Sequence, residues 1–278
     1  MVGAGANQLL EDVLKIYALN QGIIVLSVTF PESVACITTL GGYAKTIPLK
    51  TDFTLDLKAL LTGLEPDIAL IHICNPNNPT GIWHSPRELI SLADDLTVPL
   101  VVSEASADFI GNTILNHAIH KNIILVRSFS KAYGLAGLRM GYIVASEERI
   151  NYMKRRLGSY RANSFGIAGA IAALQDSEHL NSSVNYLLQE KLYLMDSLKA
   201  LGFEVIPSHS QTFIAKIPKY FSDATTFCQT IAKYNMAVVN CSLYEGLEQY
   251  IRIAPQKHHI NKQFILTLTK IIRDLYDN

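Results

Sequence analysis

"NIILVRSFSKAYGLAGLRMGYIVAS" runs from Asn122 to Ser146, and the order of residue types in it decides how the chain is read. An apolar strand, "IILVR", delivers two hydroxyls, Ser128 and Ser130, and then Lys131. A turn carrying Gly134 and Gly137 follows, then Arg139 and a second strand-like run, "RMGYIVAS" (139–146). A lysine at a strand end under two glycines is poor chemistry for a plain loop. Buried or half-buried at such a place, it can form a Schiff base with a carbonyl. Ser128, Ser130 and Arg139 offer donors suited to a phosphate. Lysine beside a phosphate cradle fits pyridoxal phosphate, whose aldehyde and phosphate need both at once. On spacing alone, a nucleotide-phosphate loop or a solvated lysine stays open.

Upstream, strands and helices alternate with short connections, which predicts a mostly parallel sheet with helices on both faces. Strands are expected at 23–28, 43–49, 67–76, 99–104, 122–130 and 139–146, and helices at 32–40, 54–64 and 85–96. Ser85 and Pro86 form a strong helix start, and Thr54 stands where it could cap the helix at 54–64. "PLVVSEASADFIGN" (99–112) begins as a buried strand and ends in Ser103, Glu104, Ser106 and Asp108. In open α/β sheets the ligand crevice lies beyond the carboxyl ends of such strands. The pattern changes after residue 165. One long helical stretch (164–200) is followed by strands at 203–207, 212–218, 237–241 and 249–255 and by helices at 223–235 and from Asn261. This predicts a large α/β domain over 1–165 and a small α+β domain over 166–278.

Composition narrows the function. The 278 residues are 49% hydrophobic, and 24 basic side chains balance 24 acidic ones, so no electrostatic footprint for nucleic acid or an anionic membrane exists. Four cysteines, Cys36, Cys74, Cys228 and Cys241, lie far apart and read as reduced core residues, with no metal site expected. No apolar run has transmembrane length. The expectation is a cytoplasmic globular protein that acts on a small molecule.

Two further segments join the lysine strand. "CNPNNPTG" (74–81) places Asn75, Asn77 and Asn78 in a proline-fixed turn at a strand end, where an amide can meet the ring oxygen of a pyridoxal. "GAGAN" (3–7) before a helix offers backbone donors to an anion. In this order and at these separations, the segments resemble the fold-type-I pyridoxal-phosphate aminotransferases, with the histidinol-phosphate aminotransferase branch the nearest likeness. The resemblance runs from Gly3 to the end of the chain and is specific at "NPNNPTG" and "SFSKAYGLAGLR". It implies a seven-stranded, mainly parallel sheet, a small C-terminal domain and a homodimer acting on an amino acid and a 2-oxo acid. It makes Lys131 the Schiff-base lysine and Asn78 the partner of the ring hydroxyl. Ser128, Ser130, Arg139 and the backbone at Ala6 and Asn7 then hold the phosphate. Arg252 in "YIRIAP" matches the arginine that clamps the substrate carboxylate. An arginine inside an apolar strand independently needs an anionic partner, which a carboxylate of the chain itself could also supply.

The sequence departs from the family at several places. Ser103 stands where the relatives carry an aspartate against the pyridine nitrogen, and Ser106 where a tyrosine faces the ring oxygen. The stacking aromatic aligns with Ser33, the phosphate-side aspartate with Asn7, and the N-terminal arm is missing. A carboxylate keeps the ring nitrogen protonated, and a hydroxyl cannot, so the electron sink weakens. Each lost neutral hydrogen bond costs roughly 0.5–1.5 kcal/mol of binding. Beside the aminotransferase, two other readings stay open: a decarboxylase of a phosphorylated amino acid, and a degenerate, non-catalytic relative.

Overall fold

The computed structural model describes residues 1–276. In chain order its elements are β1 (Val2–Gly3), α1 (Ala6–Tyr17), β2 (Gly22–Leu26), α2 (Glu32–Thr39), β3 (Tyr43–Ile47), α3 (Leu57–Thr62), β4 (Ile68–Cys74), α4 (Pro86–Asp94), β5 (Leu100–Ser103), β6 (Ile123–Ser128), β7 (Gly141–Val144) and α5 (Glu147–Lys154). The second part continues with α6 (Ser164–Gln175), α7 (Ser177–Ala200), β8 (Glu204–Val205), β9 (Phe213–Lys216), α8 (Ala224–Ala232), β10 (Val239–Asn240), β11 (Tyr250–Ile253) and α9 (His258–Tyr276).

Seven strands form one sheet in the order β1-β7-β6-β5-β4-β2-β3. Neighbours from β3 through β6 run parallel, and β7 is antiparallel to both β6 and β1. Every residue of β2 and β6 is buried, which is why both read as unbroken apolar runs rather than alternating ones. One face packs Ile71, Ile73, Leu92 and Leu125 into a core, and the other packs Leu9, Val13, Val101 and Val126. The expected mainly parallel seven-stranded sheet between helices is therefore the observed fold.

A second sheet, antiparallel in the order β10-β11-β9-β8, has its own core of Phe203, Phe213, Phe227 and Ile251. The stretch expected as one helix over 164–200 is two. Asp176 leaves the helical conformation (φ −102°, ψ 68°), and its carboxylate accepts from His179 N at 2.9 Å to start α7.

Local chemistry fixes several ends. Ser85 caps α4 with a reciprocal Glu88 capping box, as its sequence predicts. Asp56, not Thr54, caps α3 through Ala59 N at 3.0 Å, while the Thr54 hydroxyl turns back to Asp52. Two elements carry no clear sequence signal. The two-residue β1 is too short to show alternation, and α5 is capped by Ser146, which reads equally well as the last residue of a strand.

Candidate active site

The carboxyl ends of β4, β5 and β6 open into one cavity of about 310 Å³, closed from the other side by β11 and by residues 210–212. α1 aims its first turn into it. Gly5 precedes that turn at φ +91°, a backbone state that other residues rarely adopt, and a Cβ there would lie 2.7 Å from the Arg139 guanidinium. Gly141 clears the other side, since its Cβ would sit 2.8 Å from both Ala6 N and Arg127 O. No side chain caps α1 and no acidic residue occupies its first turn, so its leading N–H groups remain to serve an anion.

Ala6, Asn7, Asn78, Ser103, Ser106, Ser128, Ser130, Lys131, Arg139 and Arg252 all line this cavity, although they come from positions 6 to 252. Ser33 does not. It is fully buried in α2 with an unpartnered hydroxyl, and the aromatic on the cavity wall is Phe30, three residues earlier. Lys131 is exposed rather than buried or half-buried, because the glycine turn above it leaves its side chain open to the cavity.

The three asparagines of the proline turn divide their work. Asn75 exchanges hydrogen bonds with the backbone of His84 at 2.8 and 2.9 Å. Asn77 accepts from the Thr29 hydroxyl at 2.8 Å and donates to Val28 O at 2.8 Å. Both are buried and brace the loop instead of being displayed. Asn78 alone reaches the cavity, and its Oδ1 accepts from Arg252 Nη1. Its amide nitrogen is left to donate to a ligand. Arg252 forms no salt bridge among the described residues, so the ion pair within the chain, one of its two possible roles, is not made.

The polar strand end at 103–108 splits by face. Ser103 and Ser106 look into the cavity. Glu104 and Asp108 turn away and hold Arg127 of β6, at 2.8 and 2.5 Å. Ile114 N donates to the other Glu104 oxygen at 3.0 Å. Burial pushes both carboxyls above their usual range, and the Arg127 guanidinium counters it. Behind Ser103 stands His72 of β4, fully buried, with Nε2 2.9 Å from the Ser103 hydroxyl oxygen. Burial drives the His72 pKa down to about 4, so the ring is neutral at physiological pH. A lone histidine in "IALIHIC" reads as core, and only the pairing of β4 with β5 brings it to Ser103.

The cavity wall thus carries three cations, Lys131, Arg139 and Arg252, and no carboxylate. Serine hydroxyls, a helix N-terminus and Arg139 offer donors that a phosphate could use, and Lys131 lines the same cavity. The residues present fit pyridoxal phosphate, and the space Gly5 leaves beside Arg139 belongs to the same cradle.

Comparison with known proteins places this geometry. The profile of the family described as aminotransferase class I and II matches residues 1–263. The histidinol-phosphate aminotransferase of Desulfotalea psychrophila is 30% identical over 99% of this chain and 74% of its own length. The crystal structure of histidinol-phosphate aminotransferase from Sinorhizobium meliloti, in complex with pyridoxal-5'-phosphate, superposes with a TM-score of 0.88 at 24% identity, covering 99% of this chain and 77% of that one. L-threonine-O-3-phosphate decarboxylase from Porphyromonas gingivalis shares the fold at a TM-score of 0.81 and 23% identity, covering 98% and 83%. Fold alone therefore does not select the reaction. Sequence shows the family: the chain belongs to the class I and II aminotransferases, with histidinol-phosphate aminotransferases among its relatives.

Proposed function

We propose that this chain is a pyridoxal-phosphate-dependent aminotransferase, similar to histidinol-phosphate aminotransferases, that moves an amino group between an amino acid and a 2-oxo acid. The observation that carries the reading is an open lysine, Lys131, in a cavity walled by cations and hydroxyls with no carboxylate. When bound, pyridoxal phosphate supplies a sink for the electron pair left as a substrate α-proton departs. The α1 N-terminus, Ser128, Ser130 and Arg139 bind its phosphate. Asn78 would donate to the ring oxygen, Phe30 would offer its side chain to a ring face, and Ser103 would meet the ring nitrogen. Lys131 Nζ would take the substrate α-proton and hold it for return. Arg252, whose charge is unspent, takes the substrate's carboxylate or phosphate, which limits substrates to anionic ones.

Protein mixed with pyridoxal phosphate should show an absorption band near the violet edge of the visible spectrum, and Lys131→Ala should abolish it. A wild-type protein without the band would overturn the reading. We also take residues 1–165 and 166–278 as two domains, a division supported by their separate cores. A homodimer is supported by the exposed apolar side chains Phe165, Ile171 and Leu174 along α6. Light scattering should then give twice the 30.8 kDa chain mass. A cytoplasmic location accords with four free cysteines, and among the described residues no helix is long and apolar enough to cross a membrane.

A further inference from the structure

We propose that His72 is a positioning residue that fixes the Ser103 hydroxyl as a hydrogen-bond donor into the cavity, so that the site holds the pyridine nitrogen of its cofactor unprotonated. The inference rests on the cavity being a pyridoxal-phosphate site.

A neutral imidazole carries one N–H and one lone pair. His72 Nδ1 is buried without a hydrogen-bond partner among the described residues, whereas Nε2 lies 2.9 Å from Ser103 Oγ. A proton on Nδ1 would be a buried donor with nothing to receive it, and folded proteins avoid bare N–H groups more strictly than bare lone pairs. The proton therefore belongs on Nε2, where Ser103 Oγ accepts it. Cys74 Sγ, 3.9 Å from the same nitrogen, is a weaker alternative acceptor.

With Nε2 as donor, the serine's own proton cannot go back to His72. It points to whatever acceptor the cavity contains. In pyridoxal phosphate the nitrogen lies across the ring from the aldehyde, with the phosphate arm and the hydroxyl on the two flanks. With Lys131 at the aldehyde, the α1 end at the phosphate and Asn78 at the hydroxyl, the nitrogen falls to the β5 end and Ser103. A lone pair there receives the serine proton, whereas a protonated nitrogen would compete with it.

Charge argues the same way. Besides Lys131, which meets the aldehyde, the charged groups lining the cavity are Arg139 and Arg252, both cationic, whereas the carboxylates of Glu104 and Asp108 face Arg127 on the far side of β5 and do not line it. Among the described residues no ionisable side chain is a cause of the lowered His72 pKa, which follows from burial. Nothing on the wall offsets a positive ring. An aspartate at residue 103 would do so, and this chain does not provide one.

Two measurements test the proposal without relying on turnover. Long-range nitrogen–proton correlation spectra of the histidine-labelled protein read the His72 tautomer directly. The expected result is a proton on Nε2, and a proton on Nδ1 overturns the proposal. Pyridoxal phosphate labelled with nitrogen-15 in its ring, bound to wild-type protein, should give the chemical shift of an unprotonated pyridine from pH 6 to 9. Ser103→Asp should move it to the pyridinium position and raise the transamination rate. His72→Phe should raise the pH midpoint of ring protonation by roughly one unit, since a hydrogen bond that favours the neutral form is weakened. His72→Gln, which keeps an N–H for the serine, should restore the wild-type value. A pyridinium shift in the wild type, or a midpoint unmoved by His72→Phe, overturns the proposal while leaving the cofactor site standing. Absence of the visible band overturns both.

Discussion

At Arg252 a hydrogen bond ties the second sheet to the large one's loops, because its guanidinium leaves β11 to meet Asn78 Oδ1 in the loop after β4. A charged hydrogen bond of this kind is worth about 1.5–3 kcal/mol. Arg252→Ala should raise the KM for an anionic substrate about 10- to 100-fold while the visible band of the bound cofactor persists. His72 offers a second test through stability. Its native pKa of about 4 lies below the ordinary 6.5, so protons bind the unfolded chain first as the pH falls. Stability is intact above pH 6.5 and is lost progressively down to about pH 4. Between pH 7 and 4.5 this one ring should cost about 2–3 kcal/mol, a loss that His72→Gln should remove in urea unfolding. Residues of this scale were unequally legible. Lys131, Asn78 and Arg252 could be read because prolines, glycines or an apolar strand fix their frame. Ser33 could not, since only the fold shows that its side chain is buried in α2 away from the cavity, with Phe30 the aromatic on the wall. For Asn75 and Asn77 the sequence shows an amide but not the backbone it turns toward.

Among the elements, α1 and β7 depend on each other most closely. The helix can aim its N-terminus at the cavity only because residue 141 has no Cβ to meet Ala6 N and Arg127 O at 2.8 Å. Gly141→Ala must displace backbone, not a flexible side-chain tip. It should cost about 1–3 kcal/mol in unfolding and weaken cofactor binding, because the phosphate end of the site moves with the helix. Gly158→Ala, with open space around it, is the matched control and should change neither. Alternation of strands and helices foretold most elements, though not β1 or α5, and the Ser85–Pro86 start foretold one helix end to the residue. The break at Asp176 was hidden because both flanks are good helix. The polar end of β5 looked uniform in sequence, yet its side chains divide between a cavity and a buried ion triad. That division depends on β6 supplying Arg127, a pairing that local pattern does not encode.

Over the whole molecule, positive and negative side chains cancel to a formal net charge of zero, yet the cavity wall holds three cations and no carboxylate. The balancing charge must lie elsewhere on the surface. The cavity is then a local attractor on a neutral body, which draws anions from a distance set by salt. Between about 0.01 M and 0.15 M salt the screening length falls from about 30 Å to about 8 Å. Stopped-flow association of pyridoxal phosphate should slow several-fold over that range, and pyridoxal, which lacks the phosphate, should slow little. Equal salt dependence for the two would rule out such steering. Capture of the cofactor, before any bond to Lys131 forms, is in this view governed by the medium as much as by the fit.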